Sequence, residues 1–243
     1  VNDRPRTRFV ADVHLLPEVE AVPEVNATFH HFLDDCLTQS VDQLYILGDL
    51  FEMWVGDDIG LQDYAQSIAK FRALTQSGIE VNLIEGNRDF LMRHDFYHAT
   101  GITRLTPPYR LNLNGEQWLL LHGDELCTSD HGYQRMRRIL RHPWVMGAFL
   151  RLPAQTRQRI GRKMRDQSQK FGGRKAQNIT DVNDSALQAL MQAYPDTQRI
   201  LHGHTHRPGV YGKRWVLGDW RPQAWWVEVT PMGAQWHYWR GNH

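Results

Sequence analysis

At 243 residues and 28.4 kDa the chain is long enough for one large α/β or α+β domain, or two small ones. Its 41% hydrophobic and 23% charged residues exclude a disordered or fibrous protein. Lys and Arg at 28 against Asp and Glu at 27 give a net charge of +1, which argues neither for nor against an anionic partner. Two cysteines offer no disulfide framework, and no apolar run approaches the length of a membrane span, so a cytoplasmic chain without a signal peptide or spanning helix is expected.

In chain order, the spacing predicts a buried strand over 8–12 ending at Asp12-Val13-His14, then a helix over 26–39 with apolar positions Phe29, Phe32, Leu33, Cys36 and Leu37. A strand over 43–47 ends at Gly48-Asp49, a helix over 62–75 stops at Ser77-Gly78, and a strand over 81–84 ends at Gly86-Asn87-Arg88-Asp89. Such alternation predicts βαβ units and a largely parallel sheet, an α/β fold. Segments 109–113 and 118–121 flank Asn114-Gly115 as a hairpin and run into His122-Gly123-Asp124. Residues 133–175 read as helical and arginine-rich, broken at Pro143 and Pro153, with Trp144, Val145, Met146, Phe149, Leu150 and Leu152 within a few turns. Between Gly132 and Lys175 lie thirteen Lys and Arg against one acid, Asp166, whereas the remainder is acidic on balance. This predicts a helical lid over 132–175, inserted in one domain spanning 1–243. A helix over 184–193 leads to a strand over 199–201 and His202-Gly-His-Thr-His206, and 216–217, 225–229 and 235–239 close the chain as strands.

Carboxyl ends of adjacent strands in an open α/β sheet converge on one crevice, so loops distant in sequence can build one site. Here those ends carry Asp12, His14, Asp49, Asn87, His122, His204 and His206. Three oxygen donors and four imidazoles are too many for a single tetrahedral zinc, and two octahedral ions fit better; mixed N/O ligation suits Mn²⁺, Fe²⁺ or Zn²⁺. Taken alone, Asp-x-His is more often a surface or capping pair. Five such fragments, each following an apolar strand, are hard to explain as packing. Glycines before Asp49, Asn87 and His204 allow tight turns beside the ions. His202 is expected to support rather than to ligate, and His30, His31, His94, His98, His142, His237 and His243 to be surface or packing residues.

Asp-x-His, Gly-Asp, Gly-Asn, His and Gly-His-Thr-His, in this order and across the whole chain, resemble the calcineurin-like metallophosphoesterases. That resemblance implies a four-layered α/β/β/α sandwich with a two-metal centre. Residues 44–52, 56–58, 86–91, 122–128, 181–183 and 202–208 narrow it to the pyrophosphohydrolases that cleave a UDP-linked diacylated glucosamine in lipid A synthesis, giving UMP and the lipid monophosphate. Two Mn²⁺ per chain are implied, one held by Asp12, His14, Asp49 and His206, the other by Asp49, Asn87, His122 and His204, with Asp49 bridging. Implied substrate contacts are Asn87, Arg88, Asp130, Ser168, Lys175 and His204, together with Tyr133 and Lys170. Phe171-Gly172-Gly173 departs from the family pattern and leaves only backbone to make contact at Gly172. The implied partners are the lipid-linked nucleotide and, peripherally, the cytoplasmic face of the inner membrane; no nucleic acid and no obligate protein partner is expected. Related phosphatases that expel an alkoxide are thought to place a proton-donating histidine after Gly-Asn. This chain has Arg88 there, so leaving groups that need no proton are expected. Other phosphoesterases, nucleases included, share the ligand set, and a non-catalytic scaffold would share the fold.

Overall fold

The computed structural model describes residues 5–19, 22–172 and 181–240, without the side chains of 167–172 and 240. Strands β1 (Thr7–Val10), β2 (Gln43–Leu47) and β3 (Glu80–Ile84) are buried along almost their whole length, because both faces of each are covered. They pair in parallel, β4 (Thr103–Leu105) extends the parallel set, and β10 (Gln223–Thr230) and β11 (Gly233–Arg240) add antiparallel at the other edge. A second sheet runs β5 (Tyr109–Leu113), β6 (Glu116–Leu120), β7 (Arg199–His202), β9 (Arg214–Val216) and β8 (Gly209–Tyr211). Within it β6, β7 and β9 are parallel and the outer pairs antiparallel. The expected hairpin forms at Asn114 and Gly115, whose φ of 54° and 85° match the twist of the flanking strands.

Alternation along each strand sorts side chains into separate cores. Phe9, Ala11, Tyr45 and Leu47 point between the sheets and meet Trp118, Leu120, Leu201 and Val227. There Phe9 stacks on Tyr45 at 5.2 Å and on Trp118 at 5.7 Å, so aromatic rings tie the sheets together. Val10, Leu44, Ile46, Val81 and Leu83 face the other way, against helices α1 (Glu24–Thr38), α3 (Ala65–Gln76) and α4 (His94–Thr100). Beyond the second sheet, Leu119, Leu121 and Ile200 pack against α8 (Asp184–Ala193) through Leu187, Leu190 and Met191.

The single helix expected over 62–75 is two, α2 (Asp57–Asp63) and α3, parted at Tyr64. Tyr64 turns inward, its ring 4.5 Å from Phe51 and its hydroxyl donating to the Met53 carbonyl, and this tertiary pull overrides helical propensity. Strands β4 and β8 and helix α4 were not predicted; each is short and marginally periodic. In the basic segment the prolines act as expected. Pro143 opens α6 (Pro143–Leu150) and Pro153 precedes α7 (Ala154–Gly172), after α5 (His131–Leu140). Among the described residues no helix is long and apolar enough to cross a membrane.

Candidate metal centre

Backbone hydrogen bonds continue past the strand ends and lock the loops together. The amide of Asp12 donates to Gly48 O at 3.0 Å, that of His14 to Asp49 O at 3.0 Å, and that of Gly203 to His122 O at 2.9 Å. Gly48, at φ +87°, and Gly86 leave no room for a Cβ: one on Gly48 would collide with the His122 ring, one on Gly86 with the Asp49 carboxylate. Asp89, fully buried, accepts from the amides of Leu50 and Gly86 at 2.7 Å each and so straps the β2 loop to the β3 loop. Sequence reading missed that role, although Asp89 belongs to the quoted Gly-Asn-Arg-Asp stretch.

Two triads of metal-competent atoms result, Asp12/His14/His206 and Asp12/Asp49/His122, each with its donor atoms within 4.8 Å of one another. Asp12 belongs to both, whereas the resemblance gives the bridging place to Asp49. Asn87 and His204 stand alongside: Asn87 Oδ1 lies 3.0 Å from His122 Nε2, and the His204 ring centroid is 5.1 Å from that of His122. His122 Nδ1 hydrogen-bonds Leu47 O at 2.8 Å, which fixes the tautomer and leaves Nε2 facing the site. Asp12 Oδ2 accepts the His204 amide at 2.8 Å, while Asp12 Oδ1 is buried with no hydrogen bond. Orphaned buried groups of this kind call for a partner, and a cation suits them.

The charge balance agrees. Burial opposes a charged His122, yet the carboxylates of Asp49, Asp12 and Asp124 outweigh it and lift its pKa to about 9. Burial also dominates at Asp49 and raises its carboxyl, and at His204 it pushes the imidazole down to about 3. A buried carboxyl pushed up at Asp49 beside an imidazole held charged at His122 is a site that an added positive charge would relieve. The donor set and the geometry therefore fit two divalent ions.

Asp12, His14, Asp49, His204 and His206 all have φ between 50° and 65°, five of the seven non-glycine residues in the left-handed region among those described. Strain of this kind is held only where surrounding structure over-determines it. No sequence pattern announces it.

Arg88 donates its amide to Asp49 Oδ1 at 3.0 Å and sets its guanidinium beside the same carboxylate, Nε to Oδ2 3.5 Å. Tyr133 lies 6.0 Å from His204, ring to ring, and donates its hydroxyl to Asp124 at 2.9 Å; Asp130 caps α5 by accepting from the Tyr133 amide at 3.0 Å. Asp124 also pairs with Arg137, anchoring α5 behind the His122 loop. The side chains of Ser168 and Lys170, and all of Lys175, fall outside the described residues. His202 is buried, its Nδ1 2.8 Å from Gly203 O, with burial lowering its pKa to about 4, and it joins neither triad. Asp219 faces His206 Nδ1 at 3.7 Å from a tail that carried no sequence signal.

Two triads of metal-competent donors at the carboxyl ends of the strands suit a metal-dependent phosphoesterase, and the chain belongs to the calcineurin-like phosphoesterase family, whose model matches residues 5–208. Among curated proteins it is 41% identical to the UDP-2,3-diacylglucosamine hydrolase of Ectopseudomonas mendocina over 234 residues, 93% of this chain and 94% of that one. The UDP-2,3-diacylglucosamine hydrolase of Aeromonas hydrophila is also 41% identical, over 226 residues, 90% of this chain and 92% of the other. Among solved structures, a dimetal phosphatase from Danio rerio aligns with 98% of this chain and 100% of its own at 11% identity and a TM-score of 0.47.

Proposed function

We propose that this chain hydrolyses the pyrophosphate bond of UDP-2,3-diacylglucosamine, releasing UMP and 2,3-diacylglucosamine 1-phosphate in lipid A biosynthesis. The observation that carries the substrate is identity near 41% along 93% of the chain to a protein named for that hydrolysis. The reaction class rests on the two triads of metal-competent donors at the strand ends and on the family. Asp12, His14, Asp49 and His206 would hold one Mn²⁺ and Asp49, Asn87, His122 and His204 the other, at the carboxyl ends of a four-layered α/β/β/α sandwich. When bound, the two ions supply an activated water and Lewis acidity at the phosphoryl oxygens.

The chain's own residues do the rest. Leu47 O holds His122 in one orientation, the His204 amide holds Asp12, and the Arg88 amide holds Asp49, so the donors are set before any ion arrives. Arg88 presents a permanent positive charge to the phosphoryl group and cannot donate a proton at neutral pH. A phosphate monoester leaving a pyrophosphate needs none. Tyr133, whose ring lies 6.0 Å from that of His204, and Asp130, the N-cap of α5, would contact substrate together with Ser168, Lys170 and Lys175.

Segment 132–175 would serve as a lid over acyl chains. Met136, Ile139 and Trp144 are exposed on it, Trp144 at 82%, among the exposed cations Arg135, Arg138, Arg151, Arg159, Arg162 and Lys163. Apolar side chains beside cations suit peripheral contact with an anionic membrane face. The deciding experiment incubates protein and Mn²⁺ with UDP-2,3-diacylglucosamine, bis-p-nitrophenyl phosphate and single-stranded DNA in isotopic water. Rapid release of UMP carrying the label is expected. Faster cleavage of DNA, or label confined to the lipid phosphate, would overturn the reading.

A further inference from the structure

Glu52 follows β2, its side chain only 5% exposed, and has no part in the reaction as described so far. Its backbone is pinned: the Glu52 amide donates to Leu15 O at 2.9 Å, and Leu15 in turn donates to Leu50 O at 2.9 Å. From that base the carboxylate meets four basic groups brought from four segments. Oε1 lies 3.0 Å from Nη1 of Arg88 and 2.9 Å from Nε of Arg165 on α7. Oε2 faces His14 Nδ1 at 3.7 Å and Nη2 of Arg221 at 3.9 Å.

One carboxylate among three guanidiniums leaves the cluster positive, so neutralising Arg88 is not what it achieves. Direction is. The other acid within reach of Arg88 is Asp49, at 3.5 Å, and a guanidinium collapsed onto Asp49 would compete with a metal and turn away from the phosphoryl oxygens. Glu52 engages a different atom of the same guanidinium, Nη1, and does so more closely, at 3.0 Å. Through Arg165 the same carboxylate reaches α7, which otherwise rests on the body through Arg157, bonded to Val55 O at 2.7 Å and to Asp58, and through Gly161 against Met53 and Val55.

We propose that Glu52 is a positioning residue that holds Arg88 off Asp49 and latches α7, through Arg165, over the metal centre. Turnover of a small diester then needs Glu52 for Arg88 alone, whereas the diacylated substrate needs it for both. The inference rests on the two-metal reading above, and metal content separates the two.

The test uses the metal-loaded full chain with Glu52→Gln, Arg165→Ala and the double variant. It measures kinetics on bis-p-nitrophenyl phosphate and on UDP-2,3-diacylglucosamine, divalent metal content, and amide hydrogen exchange over residues 154–166. Glu52→Gln should lower kcat/KM on both substrates by about 10- to 100-fold, the scale for groups that orient a metal site from behind. Arg165→Ala should lower it on the diacylated substrate only. The double variant should then be no worse there than Glu52→Gln, and both single variants should speed exchange in α7. Losses that multiply in the double variant, unchanged exchange in α7, or full activity in Glu52→Gln would overturn the proposal. Should Glu52→Gln fail to fold, Arg165→Ala still decides: equal losses on both substrates, or none on either, sink the latch. A wild-type chain that binds no divalent metal removes the centre itself; two ions in wild type with an indifferent Glu52→Gln remove only the role of Glu52.

Discussion

The strand-end loops and the helical segment 131–172 are opposites in how they are held. Asp12, Asp49 and His122 are at most 2% exposed, stitched by backbone bonds on several sides. In α5 and α6 no residue is buried, and the segment meets the body through separate side-chain contacts, among them Met146, Phe149 and Leu150 on the apolar core, Arg157 on the 55–58 turn, Arg137 on Asp124, Arg141 on Gly86 O and Arg165 on Glu52. Chemistry sits where the fold is over-determined, and reach sits where it is loosely attached. A centre that must orient donors before substrate arrives needs the first, and the lid proposed for the acyl chains would use the second.

The harshest way to break this comparison is at the centre. Asp49→Asn and His122→Ala should each cut kcat about 10³-fold or more on every substrate and lower divalent metal content, read by kinetics and elemental analysis. Activity near wild type in either variant would show that the cluster is not the centre. Next comes Arg88→Ala, expected to cost about 10²- to 10³-fold, the scale for losing one charge-stabilising donor. Simple alkyl phosphates should be cleaved poorly by the unaltered chain, and a wild-type rate on them equal to that on pyrophosphates would remove the account of Arg88.

The helical segment should answer differently. Trp144→Ser, at an exposed position, should leave the melting temperature alone and slow the diacylated substrate about tenfold relative to bis-p-nitrophenyl phosphate. Phe149→Ser and Leu150→Ser, which pack on the core, should also destabilise the fold by about 1–2 kcal/mol, seen in denaturant unfolding. Equal losses on both substrates for Trp144→Ser would make the segment scaffold rather than lid.

The smallest expected effect lies in the body, at Glu18. Burial favours its neutral form, but hydrogen bonds from His30, Ser67 and Asn26 prevail and depress its pKa from 4.5 to about 2. A depressed carboxyl contributes stability that is complete above its unfolded value and is lost as pH falls through the folded one. Glu18→Gln should therefore lower the melting temperature at pH 6 to 7, and the gap to wild type should close between about pH 4.5 and 2. A gap unchanged at pH 2 would refute the assignment.

Much of the centre was legible because its residues must sit at strand ends, and strand ends follow from short apolar runs such as Leu44-Tyr-Ile-Leu47. The α/β class and the hairpin at Asn114-Gly115 came from the same local signals. What escaped was non-local. Tyr64 breaks a helix because of Phe51 and Met53, Asp89 straps two loops, and Glu52 gathers arginines from α7 and the 221 turn. None of these is encoded in spacing. Even the apolar residues of α6 divide by tertiary contact, Phe149 and Leu150 inward and Trp144 outward, though the sequence presents them as one cluster.

The left-handed backbone at Asp12, His14, Asp49, His204 and His206 sets this molecule's evolvability against its chemistry. Side chains with a Cβ are disfavoured at such torsions by about 1 kcal/mol or more each, and glycine is not. Selection for thermal tolerance alone, with no demand for turnover, would drift toward glycine or asparagine at these five positions. The hardiest descendants of this chain would then be the inert ones, with the sheets intact and the crevice stripped of its donors.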